Sequence, residues 1–300
     1  MDRYAWARRT AALDATDDAE QIYRILAAHE FPWDMSQALG FALYRTYAVP
    51  SIGRLLYETG EFTERTQKRY DDTGLLLDAV LEHGLGSTVG RSAVRRINRM
   101  HGMYDISNAD MRYVLCTFVV VPNRWLDRFG WRRLSEHEKT AAANYYRQLG
   151  RHMGIRDIPA THQEFAAALD AYEAEHFAYD AGARAVADAT LDLMTTFPPN
   201  SHAPAALVRR FSYALMDAPL LDAFGYPHPS RFEQKAAAAA LRARGFVLRR
   251  MAPRTEPFFA RESANIRSYP DGYDVEVLGT FTPGCPVPHA RREATGQVRA

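Results

Sequence analysis

The stretch Ser92-Ala-Val-Arg-Arg-Ile-Asn-Arg-Met-His101-Gly-Met-Tyr104 predicts a helix that begins near Ser87 and ends near Gly102. The residues three, seven and ten positions before His101 share its face of this helix: Asn98, Val94 and Arg91. Three further cations flank that face: Arg95, Arg96 and Arg99. One short segment therefore presents an imidazole, an amide, an apolar side chain and a dense group of positive charges.

A buried anionic cofactor such as haem needs this combination, because haem iron takes a proximal histidine and haem propionates pair with arginine. His101 is then a candidate iron ligand, and Asn98, Arg91 and Arg95 are candidate cofactor contacts. The residues alone favour a simpler interpretation, which is a helix with a solvated basic side and one buried histidine.

Composition limits the function classes. The 300 residues contain 37 Lys and Arg against 36 Asp and Glu, so the net charge gives no reason to expect nucleic acid or an anionic membrane as partner. Cys116 and Cys285 form no Cys-x-x-Cys motif, which disfavours zinc ribbons, iron–sulfur clusters and disulfide scaffolds. The N-terminus lacks a signal-peptide pattern, and the apolar run 118–121 is too short to span a bilayer. We expect a cytoplasmic protein without a transmembrane segment, and a homo-oligomer is compatible with the sequence.

Hydrophobic periodicity and capping signals predict an all-α domain of about ten helices over residues 1–251. The expected helical segments are 16–29, 37–47, 50–59, 62–81, 87–102, 109–129, 135–153, 161–177, 181–195, 205–216 and 232–249. Asp34 or Ser36 is the expected cap of the second segment, and Pro122 is expected to kink or interrupt its helix. Three pairs have capping-box spacing: Ser107 with Asp110, Ser135 with Glu138 and Thr161 with Glu164.

Residues 252–300 differ in character. Six prolines rule out long helices there: Pro253, Pro257, Pro270, Pro283, Pro286 and Pro288. The alternating segment Tyr273-Asp-Val-Glu-Val-Leu278 could form one strand or hairpin arm. We expect an irregular tail that is either wrapped on the helical domain or loose.

Four segments, in this order, carry a resemblance to a known family: Lys68-Arg69-Tyr70-Asp71-Asp72-Thr73, Arg96-Ile-Asn-Arg-Met-His101-Gly102, Ile106-Ser-Asn-Ala-Asp-Met-Arg-Tyr-Val-Leu-Cys-Thr117 and Gly130-Trp-Arg-Arg-Leu-Ser-Glu-His-Glu138. Together they resemble the rubber oxygenase (latex clearing protein) and MpaB-type oxygenases, in particular the fungal and actinobacterial branch. The resemblance covers roughly residues 17–230.

The resemblance implies an all-α fold that encloses a b-type haem, used with O2, with His101 as the proximal iron ligand. Better-known members of the family cleave carbon–carbon double bonds of isoprenoid chains. Arg69 and Thr73 match an Arg-x-x-x-Thr pair on the distal side, and their spacing puts both on one helical face. Thr117 matches a further threonine of the pattern, although its hydroxyl could instead bond only to a carbonyl of its own helix.

One position departs from the family pattern. In rubber oxygenases the residue before the distal threonine can be a lysine that occupies the sixth site of the iron, whereas this chain has Asp72. A carboxylate there could serve as an acid or base. The departure also speaks against rubber as the substrate and favours a small lipophilic molecule.

Three hypotheses follow. The favoured one is a haem-dependent oxygenase that oxidises or cleaves a C=C bond of a lipophilic, isoprenoid-type small molecule with O2. The second is a haem enzyme with other chemistry, such as a dehydratase, an isomerase or a peroxide-dependent oxidant. The third is a non-catalytic haem-binding helical module. His176 is a candidate second axial ligand, but a structural role is favoured, and a single Glu173-x-x-His176 motif does not make a dinuclear site.

Overall fold

Fourteen α-helices make up most of residues 2–280, the part of the chain that this computed structural model describes: α1 (Ala5–Ala11), α2 (Ala19–Arg24), α3 (Pro32–Thr46), α4 (Pro50–Glu58), α5 (Glu61–Glu64), α6 (Thr66–His83), α7 (Thr88–His101), α8 (Asn108–Phe129), α9 (Glu136–His152), α10 (His162–His176), α11 (Ala181–Thr195), α12 (Ala205–Leu215), α13 (Ala218–Phe224) and α14 (Arg231–Leu248). The predicted all-α fold is confirmed. Every expected helical segment has a counterpart, and the helices without one are α1, α5 and α13, which have seven, four and seven residues. They are too short for a periodic signal to develop.

Some local predictions are wrong in detail. Asp34 caps no helix, because α3 already begins at Pro32, and the buried Asp34 carboxylate instead accepts hydrogen bonds from Trp125 (3.1 Å) and Arg244 (3.0 Å). Helix α8 continues through Pro122, so the interruption is excluded, whereas the kink expected there stays a prediction. Ser135 and Glu138 form a complete capping box. The predicted box at Thr161 is incomplete, because the Glu164 carboxylate accepts from the backbone amide of Ala160 and not from that of Thr161.

The turn between α6 and α7 determines how far along the two helices the candidate site residues His101 and Arg69 lie. Gly84 adopts φ 86°, and a Cβ at Gly90 would lie 1.9 Å from the Gly84 carbonyl oxygen, so only glycine permits this approach. The short turn returns the chain, so that α7 runs back along α6. His101 and Arg69 lie 13 to 15 residues from the two sides of the turn. At a rise of 1.5 Å per residue, both are about 20 Å from it and therefore at the same level.

The main hydrophobic core surrounds α8, which packs against α3, α9, α10 and α14. A second, smaller core lies between α3, α11 and α13. Beside the main core, the buried Arg132 guanidinium holds two buried carboxylates, Glu30 at 2.5 Å and Glu138 at 2.7 Å. None of the helices within residues 2–280 combines the length and apolar character that a membrane span requires.

Residues 252–280, here called the C-terminal strap, lie across α6 and α7. The Asp71 carboxylate of α6 accepts from the backbone amides of Arg267 (3.0 Å) and Ser268 (2.8 Å). On α7, Ser92 donates to Glu276 (2.7 Å). The tail is thus wrapped on the helical domain as far as residue 280, and residues 281–300 lie outside the described part.

The strand expected at residues 273–278 is not observed, and this prediction is wrong. A strand needs a second strand to satisfy its backbone groups. Here α7 supplies side-chain partners instead, because Arg96 donates to the carbonyl of Leu278 and Ser92 to the carboxylate of Glu276. Leu278 itself is fully buried.

Candidate functional site

A largely apolar cavity of about 480 Å³ lies between α3, α4, α6, α7 and α8, and the last strap residues, Gly279 and Thr280, form part of its wall. Its apolar wall includes Leu43, Leu55, Leu76, Ile97, Val114 and Phe118. The volume falls within the range of roughly 300–1,000 Å³ that is usual for cofactor and small-molecule sites. The few polar groups in its wall decide what it can bind.

His101, the last residue of α7, contributes its side chain to the cavity wall. Its Nδ1 is buried without a hydrogen-bond partner, and neither ring nitrogen bonds to another residue in the described range. Burial, with a smaller contribution from the charge of Arg69, lowers the pKa of His101 to about 4. The imidazole is therefore neutral at physiological pH and keeps a lone pair for a metal ion or a hydrogen-bond donor.

Arg69 and Thr73 line the same cavity from α6, one helical turn apart. The Arg69 guanidinium donates to the Thr73 hydroxyl, and that hydroxyl donates to the Arg69 carbonyl at 2.9 Å. Burial lowers the pKa of Arg69, and its guanidinium carbon lies 5.0 Å from the centre of the Phe62 ring. Between residues 2 and 280, no carboxylate lies within ion-pair distance of Arg69. As far as residues 2–280 are concerned, the cavity thus holds a cation without an ion-paired carboxylate.

The structure brings His101, Arg69 and Thr73 together but leaves Asp72 outside the cavity. The Asp72 carboxylate is fully buried on another side of α6, where it pairs with Lys68 (2.6 Å) and accepts from the Tyr269 hydroxyl of the strap. Its surroundings give it a structural task, which is to fasten the strap to α6.

The remaining predicted contacts also lie away from the cavity wall. Asn98 donates to the carbonyl of His152 (2.9 Å), and the buried Thr117 donates to the carbonyl of Val114 (2.7 Å). Arg91 and Arg95 are exposed on the outer side of α7. The expected cluster of cations is therefore not observed: the described cavity wall has Arg54, which pairs with Asp180, and Arg69.

His176 is likewise absent from the cavity wall. Its ring stacks on Tyr172 with centroids 3.9 Å apart, and Nδ1 lies 3.0 Å from the Tyr172 carbonyl. This packing explains the residue without a ligand role, as the sequence analysis favoured.

Three carboxylates in the cavity wall were not among the predicted site residues: Glu61, Asp105 and Asp110. Glu61, at the start of α5, accepts from the Thr280 hydroxyl (3.0 Å) and pairs with Arg65. Asp110 accepts from the hydroxyls of Ser51 and Tyr172, both at 2.9 Å. Capping-box spacing marked Asp110 only as a helix start, and no motif marked Glu61.

The donor set decides which cofactor these residues could hold. Across residues 2–280 no three or more His, Cys, Asp and Glu side chains are grouped as a metal site. Haem needs only one axial ligand from the protein, since the porphyrin supplies four nitrogens. One unpartnered imidazole and one unpaired guanidinium in an apolar cavity fit a haem and its carboxylates. A metal-bound histidine usually donates from its other ring nitrogen, and His101 has no such partner in the described residues, so packing orients its ring.

Comparison with known proteins identifies the family. Residues 28–249 match the family model described as "ER-bound oxygenase mpaB/B'/Rubber oxygenase, catalytic domain". The chain belongs to this family. It is 32% identical over 292 residues to the ER-bound oxygenase mpaB' of Penicillium brevicompactum, an alignment that covers 91% of this chain and 68% of that protein. It is also 32% identical over 242 residues to the ER-bound oxygenase mpaB of Penicillium roqueforti, covering 74% of this chain and 80% of that protein.

Membership in the mpaB/rubber oxygenase family confirms the resemblance found in the sequence. It supports an oxidoreductase of the oxygenase type, which acts on a small molecule with O2. The segments that carried the resemblance contain the three residues at the cavity, His101, Arg69 and Thr73.

Proposed function

We propose that this protein is a haem b-dependent oxygenase that uses O2 to oxidise or cleave a C=C bond of a lipophilic, isoprenoid-type small molecule. The observation that carries the proposal is the His101 imidazole, which is neutral, has no hydrogen-bond partner among the described residues and lines an apolar cavity. Family membership supports the oxygenase class, and the single imidazole in the cavity wall supports haem as the cofactor.

His101 would hold the iron, and Arg69 would supply the positive charge that a carboxylate of the porphyrin or of the substrate requires. When bound, haem supplies the iron chemistry that activates O2. The Thr73 hydroxyl accepts from Arg69 and donates its proton to the Arg69 carbonyl, so it would position the guanidinium, whose other N–H groups remain as donors for the cavity. We do not extend a catalytic role to Asp72, because Lys68 and Tyr269 already occupy its carboxylate.

The character of the substrate is inferred from the cavity wall. Leucine, isoleucine and methionine are its most numerous apolar side chains, so a lipophilic substrate gains from leaving water. The apolar wall would also exclude bulk water from the reacting groups and strengthen the hydrogen bonds of Arg69 and Thr73.

The location remains a prediction. The sequence favours the cytoplasm, whereas the names of the two relatives assign those proteins to the endoplasmic reticulum. Fractionation of cells that express the protein at natural levels, followed by detection of the chain in the soluble and membrane fractions, tests the prediction.

The cofactor is tested by the absorption spectrum of protein produced with a haem precursor. We expect a strong Soret band in the parent and its loss in His101→Ala. His176→Ala is the matched control, because it removes an imidazole outside the cavity and is expected to retain the band. A parent without a Soret band, even after addition of hemin, or a band that survives His101→Ala, would overturn the assignment of haem to His101.

The reaction is tested by oxygen uptake of the haem-loaded protein with a panel of lipophilic alkenes, isoprenoids among them. We expect uptake that depends on the substrate and is lost in His101→Ala, with oxygenated or cleaved products in the mass spectrum. Conversion of a substrate without oxygen uptake would support the alternative, a haem enzyme with dehydratase, isomerase or peroxide-dependent chemistry.

A further inference from the structure

The large apolar side chains of helix α14 are exposed to solvent and do not face the core. Its inner face is formed by small or medium residues, among them Ala237, Leu241 and Gly245, which are buried. A Cβ at Gly245 would lie 2.9 Å from the carbonyl oxygen of Phe129, so the helix is seated close to the end of α8. The large apolar residues point the other way: Phe232 is 80%, Phe246 61% and Val247 56% exposed. Because the inner face of α14 lies so close to the end of α8, large side chains do not fit between the two helices.

The exposed residues of α14 form one continuous face. Residues 232, 236, 239, 243, 246 and 250 recur at spacings of three and four, and all of them are exposed. The four alanines among its exposed positions add no polar group: Ala236, Ala239, Ala240 and Ala243. Over its 18 residues the helix is about 27 Å long. Met251, just beyond its end, is 53% exposed and extends the apolar area.

Between Glu233 and Glu256, the charge on this face has a single sign. From Gln234 to Thr255 the sequence contains six cations and no carboxylate. Arg244 pairs with Asp34 and is thereby neutralised. The other five are exposed and form no ion pair within the described chain: Lys235, Arg242, Arg249, Arg250 and Arg254. The Arg250 guanidinium lies 3.5 Å from the centre of the Phe246 ring, so cation and aromatic ring are presented together.

We propose that the outer face of α14, continued by Met251, docks this protein on the surface of an anionic lipid bilayer. Phe246, Val247 and Met251 would enter the boundary between headgroups and acyl chains. The flexible stems of Arg249 and Arg250 would let their charges reach lipid phosphates while the apolar side chains are inserted. Phe232 would mark the other end of a helix that lies in the plane of the membrane.

Charge decides in favour of lipid over a second copy of the chain. A symmetric dimer would bring this face against itself and oppose five cations with five cations, because a two-fold interface uses the same patch on both subunits. An anionic bilayer instead offers negative headgroups to every cation and an apolar layer directly beneath them. The proposal does not depend on haem or on the reaction in the cavity.

The test is co-sedimentation of the full-length protein with phosphatidylcholine vesicles, with and without phosphatidylserine. We expect binding to the anionic vesicles that is at least about tenfold stronger than to the neutral ones. It should weaken as salt rises from about 0.1 M to about 1 M, because the Debye length falls from about 10 Å to about 3 Å.

Two double variants separate the contributions. Arg249→Glu with Arg250→Glu is expected to weaken binding to anionic vesicles by about tenfold or more, and Phe246→Ser with Val247→Ser by a similar factor. The charge-matched control is Arg151→Glu with Arg156→Glu, two exposed arginines outside α14. The apolar control is Tyr179→Ser with Val277→Ser, which are 61% and 66% exposed. Both controls are expected to bind like the parent.

Three results would overturn the proposal. The first is a parent that binds anionic and neutral vesicles equally or not at all. The second is a loss of binding in the control variants that equals the loss in the α14 variants. The third is a dimer in sedimentation velocity that Phe246→Ser with Val247→Ser dissociates, since a second copy would then cover this face. Circular dichroism measures the helical content of each variant. We expect it to be unchanged, because the substituted side chains are exposed.

Discussion

Arg69 and Arg132 are both shielded from bulk water, and we expect their substitution by methionine to change stability in opposite directions. The Arg132 guanidinium is held by Glu30 and Glu138, whose side chains are 1% and 3% exposed. Within residues 2–280, the Arg69 guanidinium donates to the Thr73 hydroxyl and lies over the Phe62 ring, and no carboxylate is within ion-pair distance of it. Methionine keeps much of the apolar stem in either case, so the comparison isolates the charge.

The magnitudes follow from what each substitution leaves behind. Arg132→Met leaves two buried carboxylates without their cation, which typically costs about 3–5 kcal/mol of the free energy of unfolding. Arg69→Met leaves no carboxylate without an ion-pair partner and removes a charge whose desolvation is only partly compensated by Tyr47, Asp72 and Glu61. We therefore expect the haem-free protein to gain about 1 kcal/mol or more. This gain is expected at the expense of function, because the cation serves the cavity and not the fold.

Urea unfolding of the haem-free proteins at neutral pH, followed by circular dichroism, measures both values. The same Arg69→Met protein is then loaded with haem and assayed for oxygen uptake, which we expect to fall by about tenfold or more. A loss of more than about 2 kcal/mol in Arg69→Met would refute the reasoning, because it would make Arg69 a structural residue. Unchanged stability in Arg132→Met would equally contradict the account of the buried pair.

Four further substitutions test single positions. Burial raises the pKa of Asp78 to about 7 from its ordinary 3.8. Between these two pH values the folded carboxyl therefore keeps a proton that the unfolded one loses. Its contribution to the free energy of unfolding is complete below pH 3.8 and disappears as the pH rises through 7. Asp78→Asn should accordingly flatten the decline of the free energy of unfolding over that interval, measured by urea titrations at several pH values. Gly53→Ala is expected to cost about 1–3 kcal/mol in the same assay, because the new Cβ would lie 2.5 Å from the Cβ of Ala183 across the contact between α4 and α11. Thr73→Val should lower oxygen uptake by about tenfold or more with little change in stability, whereas Asp72→Asn should mainly lower the thermal unfolding temperature, because it loosens the strap.

Each of these predictions has a contrary outcome. An equally steep pH dependence in Asp78→Asn would assign the titration to another group. Gly86→Ala is the control for Gly53→Ala, since nothing lies within 4 Å of its added Cβ, and equal losses in both would exclude a steric cause. If Asp72→Asn lowered oxygen uptake as strongly as Thr73→Val while the fold stayed intact, the acid or base role expected from the sequence would be restored.

Local sequence determined where the helices lie along the chain and which residues share one face of α6 and α7. The periodic apolar positions of α7 and the caps at Ser87 and Ser135 depend on residues within a few positions of one another, so they can be derived without tertiary contacts. The spacing of Arg69 and Thr73 already put them on one face, and both line the cavity together with His101. Helix geometry alone also excludes Arg91 from the site around His101, because the ten residues between them correspond to about 15 Å along the helix axis.

Only the tertiary structure decided what covers each face. Asp72 is adjacent to Thr73 in sequence, but one residue turns the helix by about 100° and directs its carboxylate to the strap, nearly two hundred residues further along the chain. Glu61 and Thr280 meet at the cavity across a separation of 219 residues. Contacts of this range depend on how whole helices pack, and no local pattern encodes them. The sequence therefore determined which side chains could do the chemistry, and the packing of α6, α7 and the strap decided which of them reach the cavity.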